Sequence, residues 1–209
     1  MIRLYIEALN SDFVKLDSDQ VHYLKNVMRV VDNSFINIFD DSKEFEAKVV
    51  FPYVNIVKLV REKQCNKLPK IGISFIRPNR LEIAIAKATE LGAEEIFLLK
   101  TERVNHNYHR VDRLKKICIE SAEQCNRIGI PKLHMNISLE MLPKYHWIIA
   151  NKCEQEVQFW NADGILIGPE GGWSANDLEK LSCYKQINIH QNILRAETAV
   201  CTALSLFKI

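Results

Sequence analysis

From Lys70 onward the chain alternates short apolar runs with helical stripes, and this rhythm constrains the fold more than any other feature. Residues 71–76, 95–99, 146–150, 165–168 and 186–189 have the length and composition of strands. Between the first two, Leu81, Ala84, Ile85, Ala88 and Leu91 keep helical spacing, and Gly92 is placed to stop that helix. Leu114, Ile117, Cys118, Ser121, Ala122 and Cys125 form a second stripe; residues 174–181 and 195–207 read as further helices. Strands that alternate with helices predict a mainly parallel sheet covered by helices, an α/β domain.

Ahead of Lys70 the pattern is different. Residues 2–6, 35–39, 45–51 and 54–60 read as strands, with Asp40-Asp41-Ser42-Lys43 turning between the second and third. Asp17 followed by Gln20 is a capping box for one helix through His22, Leu24 and Val27. The expectation is a small, mostly antiparallel, barrel-like sheet. A polar stretch over 62–69, with Lys63, Gln64, Asn66 and Lys67, suits a linker, so two domains are expected, 1–66 and 67–209.

Composition narrows the function classes less than pattern does. With 47% hydrophobic and 26% charged residues and a net charge of +2, the chain is ordinary globular material. That charge neither demands nor excludes a nucleic-acid partner; what counts is whether the basic residues cluster. None of the six cysteines form a C-x-x-C pair, which argues against a zinc ribbon or redox motif, and no metal is expected. Cys118, Cys125 and Cys201 fall on apolar helix faces, as reduced cysteines acting as small core hydrophobes do. No apolar run approaches the ~20 residues that cross a bilayer, and MIRLYIEALNSDF does not resemble a signal peptide. A soluble cytoplasmic protein without membrane partners is expected.

Two stretches carry the chemistry. In Gly164-Ile165-Leu166-Ile167-Gly168-Pro169-Glu170-Gly171-Gly172-Trp173-Ser174 an apolar strand runs into a glycine-rich turn, and Ser174 can cap the next helix. Pro169 fixes its own φ while the glycines let a ligand approach the backbone. Such a turn sits where open α/β sheets bind ligands, although a bare strand-to-helix turn would look similar. Neither G-x-G-x-x-G nor G-x-x-x-x-G-K-[ST] occurs, so a dinucleotide fold, a P-loop and the common glycine-rich methyltransferase loop are disfavoured. In the second stretch, Ile187-Asn188-Ile189-His190-Gln191-Asn192-Ile193-Leu194-Arg195-Ala196-Glu197-Thr198-Ala199, a polar loop leads into a helix. Glu197 complements the helix dipole and Arg195 opposes it, so Arg195 calls for a partner such as Glu170 or an RNA phosphate.

Gly168-Pro169-Glu170-Gly171-Gly172 followed by Ile193-Leu194-Arg195-Ala196-Glu197-Thr198-Ala199 resembles the paired C-terminal motifs of the ribosomal RNA small subunit methyltransferase E family. Lys87-Ala88-Thr89-Glu90-Leu91-Gly92, Glu123-Gln124 with Arg127 and Pro131, and His22 with Val27-Met28-Arg29 match in the family's order. The resemblance implies a SPOUT-type α/β domain with a C-terminal deep trefoil knot, preceded by a PUA-like RNA-binding barrel. It implies a homodimer that methylates uridine N3 of 16S ribosomal RNA, within the 30S subunit, using S-adenosylmethionine. Cofactor contacts are then expected from Leu166, Ile167, Gly168, Pro169, Gly171, Gly172, Ile189, His190, Ile193, Leu194 and Thr198. Arg195 is expected to stabilise substrate or a loop carboxylate, and Glu170 to organise its loop. RNA contacts are expected from Arg3, His22, Lys25, Arg29, Arg77, Arg80, Lys87 and Arg127.

The chain departs from the family where Leu-Gly-x-Arg is usual before Ile-Leu-Arg: Ile189-His190-Gln191-Asn192 stands instead. Ala196 also stands where threonine is common. Two other readings compete: a SPOUT methyltransferase for transfer RNA or another ribosomal position, and an RNA-binding or assembly protein without catalysis.

Overall fold

Two sheets organise the chain. The computed structural model describes residues 1–64, 67–104, 108, 110–153 and 161–207, so Cys65 and Asn66 of the expected linker lie outside the described residues. One unit comprises Met1–Cys65 with Ala122–Ile130, the other Asn66–Ser121 with Pro131–Ile209.

The first unit contains β1 (Arg3–Tyr5), β2 (Phe13–Lys15), α1 (Ser18–His22), β3 (Phe35–Phe39), β4 (Lys43–Val50) and β5 (Tyr53–Glu62). Its sheet runs β1-β3-β4-β5-β2, antiparallel except where β1 pairs with β3. Ile36 and Ile38 alternate inward with β3's two-residue period and are fully buried among Leu4, Leu24, Val49 and Val54. Asp17 and Gln20 form the reciprocal capping box their spacing predicts. The helix does not keep its pitch to Val27, however: after His22 it widens into a π-turn over Tyr23–Val27. Arg29 follows with φ 55°, a left-handed conformation uncommon for a residue with a Cβ.

Arg3 overturns one expectation. It is 7% exposed, donates to Glu44 at 2.8 Å, and reaches the carbonyls of Ala122 and Arg127 at 2.7 and 2.9 Å. Its guanidinium also lies over the Phe39 ring, 4.1 Å from the centroid. A cation so enclosed, with its donors committed, has no face left for a phosphate, so Arg3 is a structural residue.

The second unit contains β6 (Lys70–Ser74), α2 (Pro78–Glu90), β7 (Glu95–Lys100), β8 (Lys132–Ser138), β9 (Trp147–Ala150), β10 (Gly164–Ile167), α4 (Ala175–Lys180), β11 (Lys185–Ile187) and α5 (Ala196–Ser205). Helix α3 (Val111–Cys125) precedes β8, its last residues belonging to the first unit. The strands form one parallel sheet ordered β11-β9-β10-β6-β7-β8, as alternation with helices requires. Gly92 ends α2 with φ 81°, where a side chain would be strained. On α2, Leu81, Ala84, Ile85 and Ala88 are fully buried, and α2 packs against α5. Gly164 is demanded by crowding: a Cβ there would fall 2.4 Å from the Lys70 carbonyl oxygen.

Among the described residues, no helix is long and apolar enough to cross a membrane. No group of three metal-type ligands occurs among them either.

Candidate functional site

Strand order explains how two distant stretches of sequence meet. β10 and β11 both pair with β9, on opposite sides, so their carboxyl ends lie two strand spacings apart, about 10 Å. Three loops leave these neighbouring ends: one after Ala150, one after Ile167 and one after Ile187. They enclose a cavity of about 530 Å³, within the range of small-molecule sites and in the position that open parallel sheets favour.

The loop after β10 is shaped by Trp173. Its indole Nε1 donates to the Ala150 carbonyl at 3.0 Å, tying this loop to the end of β9. The ring lies so close to Gly168 that a Cβ there would stand 3.0 Å from it. Gly172 N–H donates to the Pro169 carbonyl at 2.8 Å, closing the turn, and Gly172 has φ 69° with open space where a Cβ would be. Arg103 holds the other side by donating to the Gly171 carbonyl at 2.8 Å. Ser174 then caps α4 reciprocally with Asp177, as its place after the glycines predicts, and its hydroxyl donates to Glu102.

The loop after β11 is held by its own polar side chains. Asn188 Oδ1 accepts from the His190 N–H at 3.3 Å, and His190 Nδ1 accepts from the Asn192 N–H at 3.0 Å. Arg195 is the N-cap residue of α5, exposed, with no carboxylate in ion-pair range among the described residues. The expected Arg195–Glu170 pair is not formed. Glu170 is held instead by Arg80, at 2.9 Å, with Arg77 at 3.9 Å.

Most residues read from the motifs line the cavity: Ile167, Gly168, Pro169, Glu170, Gly171 and Gly172 from one loop, and Ile189, His190, Ile193, Leu194 and Arg195 from the other. Leu166 and Thr198 do not. Leu166 is fully buried in the core with Leu99, Trp147 and Ile149, its Cδ2 occupying the space over Gly72. Thr198 is exposed on α5 outside the lining. Sequence reasoning passed over Asn151, Lys152 and Trp173, which also line the cavity. The missing signal was positional: Asn151 and Lys152 follow a parallel strand just as Gly168 does.

The basic residues expected to meet RNA are dispersed. His22, Lys25 and Arg29 lie on the first unit around the π-turn, Lys25 and Arg29 exposed, His22 bonded to Asn26 and Lys25 lying over the Phe51 ring. Arg127 is half-buried and belongs to the same unit. On the second unit Arg77 is exposed. Lys87 is paired with Glu90 at 2.7 Å, and that hydrogen bond pushes its pKa above the ordinary lysine value.

Comparison with known proteins finds relatives over nearly the whole chain. Residues 64–208 match the family described as RNA methyltransferase domain, and residues 16–52 match the RNA methyltransferase PUA domain. A protein of Rickettsia conorii named ribosomal RNA small subunit methyltransferase E is 32% identical, covering 97% of this chain and 93% of its own. One of the same name from Mesomycoplasma hyopneumoniae is 26% identical over 98% of each chain. A Legionella pneumophila protein solved with the cofactor SAM bound superposes with a TM-score of 0.84 at 26% identity, covering 98% of this chain and 96% of that one. The Neisseria gonorrhoeae ribosomal RNA small subunit methyltransferase E shares the fold at 23% identity, with a TM-score of 0.81 over 98% of this chain and 95% of that one.

Proposed function

Because this chain belongs to the ribosomal RNA small subunit methyltransferase E family, we propose that it transfers a methyl group from S-adenosylmethionine to N3 of a specific uridine in 16S ribosomal RNA. The observation that carries this reading is the convergence of the two motif loops, with a third, on one cavity. The lining suits the cofactor. Ile167, Ile189, Ile193, Leu194 and Trp173 offer apolar surface for an adenosine, and open space above Gly172 leaves main chain accessible to a ligand. The Legionella relative, solved with SAM bound, supports the choice of cofactor.

When bound, S-adenosylmethionine supplies an activated methyl on a sulfonium sulfur. The chain's own residues must hold the donor and acceptor in line and must favour a deprotonated uridine N3. Arg195 is the cation that meets the second need. It lines the cavity, is unpaired among the described residues, and stabilises negative charge developing on the uridine. Glu170 keeps to loop organisation, since Arg80 already holds it.

The same reading takes the fold further, to a closed PUA-like barrel over 1–66 and a SPOUT domain over 67–209 whose C-terminal part is knotted. The strand order β10-β9-β11, which sends the chain across β9 between consecutive strands, supports such threading. It also includes a cytoplasmic homodimer acting on RNA of the 30S subunit.

The direct test is methylation of isolated 16S RNA and of 30S particles from a strain lacking the gene, with mass mapping of the product nucleotide. One N3-methyluridine in 16S RNA is the expected result. Modification of transfer RNA alone would replace the substrate. No transfer to any RNA, with the donor nevertheless bound, would favour a non-catalytic assembly role.

A further inference from the structure

Arg80 lies in the first turn of α2, where a helix dipole disfavours a cation. Its surroundings offset that. Nη1 donates to Glu170 Oε1 at 2.9 Å, and Nε stands 3.9 Å from Glu197 Oε1. Glu170 belongs to the loop after β10 and Glu197 to the first turn of α5, directly after the loop that follows β11. One guanidinium therefore reaches both motif segments, and it lines the cavity between them. The other Glu197 oxygen, Oε2, is buried without a hydrogen-bond partner among the described residues. That carboxylate depends on Arg80 more than a solvated one would. Arg195, by contrast, is unpaired among the described residues.

We propose that Arg80 is a positioning residue, a strap that fixes the Glu170 loop against the start of α5 and so sets the width of the cofactor cavity, and that it is not an RNA contact. The inference rests on the reading that S-adenosylmethionine occupies this cavity. A guanidinium suits this role because its fork presents several donors in fixed directions, whereas an ammonium is a single point charge. Arg77 does not duplicate it: 68% exposed, it reaches Glu170 alone, at 3.9 Å, and makes no ion pair with Glu197 among the described residues.

The test is calorimetric titration with S-adenosylmethionine of the full chain and of Arg80→Gln, Arg80→Lys, Glu170→Gln and the Arg80→Gln/Glu170→Gln double variant. RNA binding is measured in parallel across a salt series, and melting curves check folding. Arg80→Gln should weaken cofactor binding by about tenfold, the worth of one partly shielded charge-assisted contact. Arg80→Lys should recover only part of that loss. The double variant should bind no more weakly than Arg80→Gln alone, because both changes break one link. The salt slope of RNA binding should stay at the wild-type value. An Arg80→Gln protein that binds the cofactor as the wild type does, or whose RNA salt slope falls by about one, would overturn the proposal. Should Arg80→Gln not fold, Arg80→Lys and Glu170→Gln decide: unchanged cofactor affinity in both rejects the strap. A wild-type protein that bound no cofactor would instead remove the functional reading, and the strap with it.

Discussion

Glu44 is 1% exposed and accepts hydrogen bonds from Arg3, Arg61 and Asn37. Burial alone would raise its pKa, but the three donors outweigh burial, and the carboxyl sits below its ordinary value. The sign for stability follows. A depressed folded pKa contributes stability fully present above the unfolded value, about 4.3, and lost as pH falls through the lower folded value. Glu44→Gln should cost about 3 kcal/mol at neutral pH, because it leaves the buried Arg3 cation without its counter-charge. It should also flatten the acid limb of stability below pH ~4. Urea titrations of both proteins across that range measure this, and parallel acid limbs would count against Glu44 as the titrating group. Arg3 shows what residue type alone conceals. Its charge is legible in the sequence, but its depth is set by Glu44, 41 positions away, and by carbonyls near residue 122. Nothing local to Arg3 announces them.

At the scale of elements, local rules carried far. The capping box at Asp17 and the helix cap at Ser174 form where those residues predict, and β3 occupies the residues its alternation marks. The strands that escaped sequence reading, β2 and β8, are edges of their sheets. β2 is a three-residue strand with no buried residue. β8 holds Lys132, His134 and Asn136, the last at φ 57°, and buries no side chain fully. An edge strand packs on fewer neighbours, so its sequence need not show a hydrophobic run. The loop after β10 was legible for a better reason, since its glycines answer to geometry. Gly168→Ala would put a Cβ 3.0 Å from the Trp173 indole, whose hydrogen bond to Ala150 leaves the ring little freedom to yield. The expected outcome is a loss of about 1–3 kcal/mol in stability, together with weaker cofactor binding. Melting curves and cofactor titration on the same sample measure both, and an unchanged affinity would mean that this loop does not shape the site. Ser174→Ala, which removes the cap of α4, should cost about 1 kcal/mol; denaturant titration is the check.

For the whole molecule, alternation establishes a parallel sheet but not its strand order, and the order is what brings Gly168 and Arg195 to one cavity. Contiguity misleads in a similar way, because Ala122–Ile130 clusters with the first 65 residues, bound there by Arg3 and Arg61. RNA recognition needs cations that remain free to meet phosphates. On the first unit Lys25 and Arg29 stand exposed beside Val27, Met28 and Val31, themselves 59%, 37% and 68% exposed. Basic side chains beside exposed apolar ones can pair with phosphates and pack against splayed bases. Removing the two charges together, as Lys25→Ala/Arg29→Ala, should release about two fewer counterions on binding. The slope of log K against log salt would then become shallower by between about one and two. Cofactor affinity should be unchanged, since neither residue lines the cavity. Filter binding to a 16S fragment across a salt series gives the slope, and calorimetry gives the cofactor affinity. If the slope kept its wild-type value, the phosphate-binding surface would have to be sought on other residues, with Arg77 on the second unit the first to replace.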